Sequence, residues 1–230
     1  MLEEADRIRQ QTDPAAISGS IRVGFAEGFA VTCLPKLLEI VRQDFPLLKP
    51  EYVVAISYEL EQDLVDRHLD LAILVNPIGR QGMRLFPLGV QDTVWAASAA
   101  WGLGPSVRPV DLYRLPVVSN PPRSAMFRQI NDWFATAGLE PQRLDICSSV
   151  AIIGHLVSSG AALGVLPAKM MEAEAAAGRV HILRPVPEIN HGRVYASYAD
   201  AGLTGPVSAM LKSIQKTLDS MDYLQVDRTN

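Results

Sequence analysis

From Ile21 onwards, short apolar runs alternate with amphipathic stretches in a strand-then-helix rhythm. Ile21 to Phe25 is a β-rich run, and Leu34, Leu37, Leu38, Val41 and Phe45 follow at helical spacing. Pro35 falls in the expected first turn of that helix and Pro46 just beyond its end, where proline is tolerated. Tyr52 to Ile56 reads as a second strand, and Leu60, Leu64, Val65 and His68 sit on a second helix. Leu71 to Val75 reads as a third strand, nearly all apolar, as when both faces of a sheet are covered. This βαβαβ order predicts a parallel sheet with right-handed crossovers.

A second α/β block follows. Val117 to Ser119 predicts a strand, and Ser124 is placed to cap a helix carrying Met126, Phe127, Ile130, Trp133 and Phe134 that ends at Gly138. Leu144 to Cys147 predicts another strand, and Ser148 or Ser149 caps a helix with Ile152, Ile153, Leu156 and Val157. Ala162 to Leu166 is strand again, after which Pro167 opens a helix that Gly178 closes. Val194 to Tyr198 returns as a strand before a last amphipathic helix with Val207, Met210, Leu211, Ile214 and Leu218. The fold class expected is α/β, with two Rossmann-like lobes: residues 18–94 and 196–225 form the first, and 95–195 the inserted second. Residues 1–17 read as a short polar helix stopped at Asp13-Pro14, resembling the tail of something longer.

Composition narrows the function. Apolar residues make up 48% and charged residues 20%, which excludes a disordered chain. With 21 Lys and Arg against 25 Asp and Glu, the net charge is −4 and no basic run exists, which argues against nucleic-acid binding by this piece. No apolar run approaches the ~20 residues of a spanning helix, and the acidic start lacks signal-peptide design. The two cysteines, Cys33 and Cys147, read as free thiols in a cytoplasmic setting, with one disulfide as the alternative. His68, His155, His181 and His191 stand without a second ligand at i+3 or i+4, so no metal site is expected. Glu59 and Glu61 read as solvated neighbours on a helix surface. Nucleophile elbow, Walker loop and dinucleotide fingerprint are all missing, so neither catalysis nor a cofactor is expected.

Five stretches, in this order, resemble the effector-binding domain of LysR-type transcriptional regulators. Gly19 to Gly24 followed by Leu34-Pro35-Lys36-Leu37-Leu38 is similar to the family's opening strand and first helix, and Phe45-Pro46 to that helix's end. Leu69-Asp70-Leu71-Ala72-Ile73 resembles the "G-x-L-D-L-A-I" strand, with His68 and its neighbours in place of the glycine. Asp111 to Pro116 resembles the "dL-x-x-x-P" segment. Leu156 to Pro167 resembles "V-A-x-G-x-G-I-A-L-L-P", with Ala162 where the second glycine often sits. The resemblance spans roughly residues 18–220. It implies a type 2 periplasmic-binding-protein-like fold with a small-molecule effector in a cleft between the lobes. It also implies homodimers, tetramers at full length, and DNA contact only through an N-terminal domain absent from this sequence. By the same resemblance, the helices at Leu34 to Phe45 and Met126 to Ala137 are candidates for dimer packing.

In doubly wound sheets, ligands sit beyond the carboxyl ends of the strands, where helix N-termini favour an anion. The candidates there are Ala26, Glu27, Phe29, Thr32, Ser57, Tyr58 and Asn76 in the first lobe. In the second they are Asn120, Pro121, Arg123, Ser124, Phe127, Ser149 and Val150. Hydroxyls and amides of Thr32, Ser57, Ser124, Ser149, Asn76 and Asn120 supply hydrogen bonds, and Arg123 offers a bidentate fork to a carboxylate. Each has a plainer reading: Ser57, Ser124 and Ser149 as helix caps, Arg123 as a solvated loop residue. Phe25, Phe29, Tyr58 and Phe127 form either core or an apolar wall for an aromatic acid, while Glu27 opposes an anion or reads an amine. The leading expectation is a metabolite sensor. A transport-type solute-binding protein and a dehydratase-like enzyme on the same scaffold are the alternatives.

Overall fold

The computed structural model describes residues 17–225, so the expected helix over 1–17 lies, but for Ile17, outside the described residues. The chain begins β1 (Gly19–Ala26), α1 (Glu27–Asp44), β2 (Leu48–Ala55), α2 (Ser57–Val65), β3 (Leu71–Val75) and β4 (Met83–Gln91). It continues with β5 (Thr93–Ser98), β6 (Ser106–Val107), α3 (Pro109–Leu112), β7 (Pro116–Ser119), α4 (Ala125–Ala135) and β8 (Arg143–Ile146). Then come α5 (Val150–Ser158), β9 (Gly164–Pro167), α6 (Ala168–Ala176), β10 (Val180–Pro185), β11 (Gly192–Ala199) and α7 (Gly205–Met221). The chain divides into two compact units: unit 1 runs to Gly89 and resumes over Val194–Leu224, and unit 2 holds Val90–Arg193 with Gln225.

Unit 1 is built on a sheet in the order β2-β1-β3-β11-β4. β1 is parallel to both β2 and β3, while β11 is antiparallel to β3. All five residues of β3 are buried, and Ala72 and Leu74 on one face pack with Leu60 and Leu64 of α2. Gly24 makes that packing possible: a Cβ there would lie 2.7 Å from Leu60 Cδ2 and 2.6 Å from Leu69 Cδ1. α7 returns to pack against α1, so the last helix closes the core of the first unit.

Unit 2 carries a sheet in the order β6-β10-β5-β9, and β7 pairs in parallel with β8. The bridge Val117↔Leu163, with bonds Val118 N–H to Leu163 O and Leu163 N–H to Pro116 O at 2.9 Å each, joins the two sets. At this seam Gly164 is needed, because a Cβ would sit 3.0 Å from the Val118 carbonyl oxygen. The core is aromatic: Trp95, Trp133 and Phe134 pack with centroids 5.1–5.8 Å apart. The Trp133 indole N–H donates to Pro187 O at 2.7 Å, so the buried ring keeps its one polar atom satisfied.

Three expectations need correction. α1 starts at Glu27, which places Pro35 inside the helix, not in its first turn. The carbonyl that Pro35 leaves without an N–H belongs to Val31, whose side chain is 41% exposed, so water has access to that face. α2 ends at Val65, and His68 lies beyond it in an exposed turn, 3.5 Å from Asp63. Strands β4, β5, β6 and β10 carry no clear alternation and were not expected; β4 holds Pro87, which its place at the sheet edge tolerates.

Candidate functional site

In unit 1 the parallel strands end without loops: β1 ends at Ala26 with α1 starting at Glu27, and β2 ends at Ala55 with α2 starting at Ser57. The first turns of both helices therefore lie directly at the strand ends. The early start of α1 changes the predicted residues. Ala26 is buried and precedes the helix, and Phe29 is fully buried, stacked on Phe25 at 5.4 Å and edge-on to Tyr223 at 5.7 Å. Phe29 is thus core. The Thr32 hydroxyl donates to Gly28 O at 3.1 Å, one turn back in its own helix. Ser57 does not cap α2, whose N-cap is Ile56; its hydroxyl accepts the Val75 N–H at 2.8 Å and ties the ends of β2 and β3 together. Glu27, Tyr58 and Asn76 are half-buried, and Asn76 takes the left-handed φ of 48° that turns the chain out of β3.

Unit 2 presents the ends of β7, β8 and β9. Ser124 caps α4, accepting the Phe127 N–H at 3.1 Å, and Ser149 caps α5, accepting the Ile152 N–H at 3.3 Å. In each case the cap satisfies one donor of the helix's first turn. Asn120 is buried, and its amide donates to Cys147 O at 3.1 Å, bracing the end of β7 against the end of β8. Val150 is buried with Val118, Ile153 and Leu166, so it belongs to the core. Pro121 and Phe127 are half-buried, and Arg123 is exposed at φ 81°.

The sequence pattern missed two residues of unit 1. Glu61, expected to be solvated, is 3% exposed and its carboxylate accepts the N–H groups of Ile78 and Gly79 at 3.1 and 2.8 Å. It clamps the segment that leaves β3. On that segment Arg80 lies with its guanidinium carbon 5.5 Å from the Tyr58 ring centroid, and its Nε is buried without a hydrogen-bond partner among the described residues. The usable signal was a basic residue a few positions beyond a strand end. In unit 2, the Ser119 hydroxyl at the end of β7 is likewise buried with no partner among the described residues.

Other chemistry is sparse. No group of three His, Cys, Asp or Glu suited to a metal is found among the described residues, and no described helix is long and apolar enough to cross a membrane. Both cysteines are free thiols; Cys33 is fully buried and burial pushes its pKa up to about 12. A crevice of about 570 Å³ in unit 1 lies at the opposite pole of the sheet, lined by Ser20, Arg67, Asp70 and Thr204 among others.

A family model described as LysR substrate binding domain matches residues 14–219. A probable hydrogen peroxide-inducible genes activator from Streptomyces viridosporus is 28% identical over 164 residues, or 70% of this chain and 47% of that protein. The chain thus spans about half the length of the curated relative it matches. Among solved structures, the effector binding domain of QuiR in complex with shikimate is similar at a TM-score of 0.72 and 15% identity, covering 89% of this chain and 99% of that one. The reduced form of the OxyR regulatory domain from Pseudomonas aeruginosa is similar at 0.70 and 19% identity, covering 86% and 98%. Likeness at this identity carries the two-lobed fold alone.

Proposed function

This chain belongs to the LysR substrate-binding-domain family, and from that premise we propose that it senses a small organic anion, in the cytoplasm, for a DNA-binding regulator. The observation that supports this most is the meeting of helix N-termini and polar side chains at the strand carboxyl ends. In unit 2, the capped starts of α4 and α5 follow closely on β7 and β8. Such helix starts carry the positive end of the helix dipole without any mobile cation, which suits a carboxylate. Binding would favour one state of a dimeric or tetrameric regulator by the difference in affinity between its states. DNA contact belongs to a part of the regulator other than this acidic domain. No catalytic role is assigned to any residue.

The test is thermal unfolding of the domain against aromatic and aliphatic organic acids, shikimate included, with sulfate and amino acids as controls. A ligand at 100 times its Kd adds about 2.7 kcal/mol of stability. A selective shift with an organic acid is expected; a shift with none of them sinks the anion reading.

Peroxide sensing is a second reading, prompted by the name of the Streptomyces relative. A thiol sensor needs an accessible thiolate. Cys33 is unsuited to this, being fully buried with its pKa pushed up to about 12, which leaves only the half-buried Cys147. Mass spectrometry after peroxide treatment is expected to show Cys33 unmodified in the folded domain.

A further inference from the structure

We propose that Arg80 is the group in unit 1 that grips the effector's carboxylate, with Tyr58 as its platform and Glu61 as a positioning residue. The inference rests on the anion-sensor reading and extends it by naming a residue and a ligand geometry. Arg80 follows β3 on the pole of the sheet where the parallel strands end. Its guanidinium lies 5.5 Å from the centroid of Tyr58, the second residue of α2, which starts at the end of β2. At that distance the ring attracts the cation and helps to hold the guanidinium in place.

Among the described residues, Arg80 differs from the other arginines, which are ion-paired or exposed. Arg22, Arg84, Arg108, Arg143 and Arg179 each lie within 3.3 Å of a carboxylate oxygen. Arg67 and Arg114 have no such partner but are exposed, so water satisfies them. Arg80 is half-buried, has no carboxylate within ion-pair distance among the described residues, and keeps a buried Nε donor unused. A donor removed from water and left unpaired is costly, and a small shift of the half-buried side chain toward an incoming acceptor relieves that cost. The backbone beneath is prepared in advance, since the Glu61 carboxylate holds the N–H groups of the two preceding residues, Ile78 and Gly79. Ile78 itself is 67% exposed, an apolar surface two residues from the cation. A planar carboxylate on a ring or other apolar body matches this pairing; a compact inorganic anion uses only the charge.

The test is isothermal titration of the chain with a set of organic carboxylates, benzoate and shikimate first, each paired with its neutral amide. Wild type is compared with Arg80→Gln, Arg80→Lys and Glu61→Gln, whose folding is checked by circular dichroism. The expected result is an about ten- to hundredfold loss of carboxylate affinity in Arg80→Gln, partial retention in Arg80→Lys, and no change for the neutral amides. Glu61→Gln is expected to weaken the carboxylate less, and to broaden the Arg80 Nε signal in the nitrogen-15 spectrum of arginine-labelled protein. A carboxylate that binds wild type and Arg80→Gln equally overturns the role of Arg80 and leaves the sensor reading standing. If no carboxylate binds wild type, both fall together.

Discussion

The two units prepare similar strand ends by opposite means. In unit 1 the polar groups nearest the ends are turned inward: Ser57 accepts the Val75 N–H, and buried Glu61 holds Ile78 and Gly79. What remains facing outward there is carried by the segment after β3, with Arg80 against Tyr58. In unit 2 the serines stay at the helix starts as caps, and one buried amide, Asn120, braces two strands. Unit 1 therefore places a side-chain cation near its strand ends, whereas unit 2 places capped helix starts there.

The sharpest way to separate the units is tryptophan fluorescence, because Trp95, Trp101 and Trp133 all lie in unit 2. Trp133→Ala removes a ring packed on Trp95 and Phe134 and is expected to cost about 3–5 kcal/mol, read as a lower urea midpoint from the two remaining tryptophans. Glu61→Ala comes next, at about 2–3 kcal/mol, because the Ile78 and Gly79 N–H groups lose the buried carboxylate that accepts them. Hydrogen exchange at the Ile78 and Gly79 amides is the local check, and unchanged protection there would show that Glu61 does not hold this segment.

In unit 2, Asn120→Ala is expected to cost about 1–2 kcal/mol through the unpaired Cys147 carbonyl, and Ser124→Ala about 1 kcal/mol as a lost cap. Urea midpoints measure both. The smallest effect is at Arg22 and Asp70 in unit 1, an ion pair at 3.0 Å with both side chains more than a third exposed. Burial raises the Asp70 pKa, but the hydrogen bonds and charge of Arg22 outweigh it, so the net shift is downward. A depressed carboxylate stabilises the fold above its unfolded value and loses that contribution as pH falls through the folded one. The difference in thermal midpoint between wild type and Asp70→Asn is therefore expected near neutral pH and should shrink below about pH 4.

Much of the architecture was legible because period and punctuation agree. The wholly apolar β3, the parallel β2-β1-β3 arrangement and the Ser124 and Ser149 caps all follow from local patterns that the structure displays. The edge strand β4 was not legible: Arg84, Leu85, Phe86 and Pro87 are all exposed, so no face of it is marked by burial. The candidate site was read less well than the fold. Phe29 turned inward once α1 began at Glu27, ahead of the expected start at Leu34, and Val150 joined the core of unit 2.

By itself, then, the sequence determined the α/β rhythm, the family and the stretches at which the parallel strands end, because each depends on neighbours within a few residues along the chain. Only the tertiary structure decided which polar groups at those ends remain available. The fate of Ser57 depends on Val75, and that of Glu61 on Ile78 and Gly79, partners 17 and 18 residues away that the sheet and its connections bring close. Burial and hydrogen-bond partnership are set by such distant contacts, and a helical repeat cannot tell a solvated carboxylate from one that holds a loop in place.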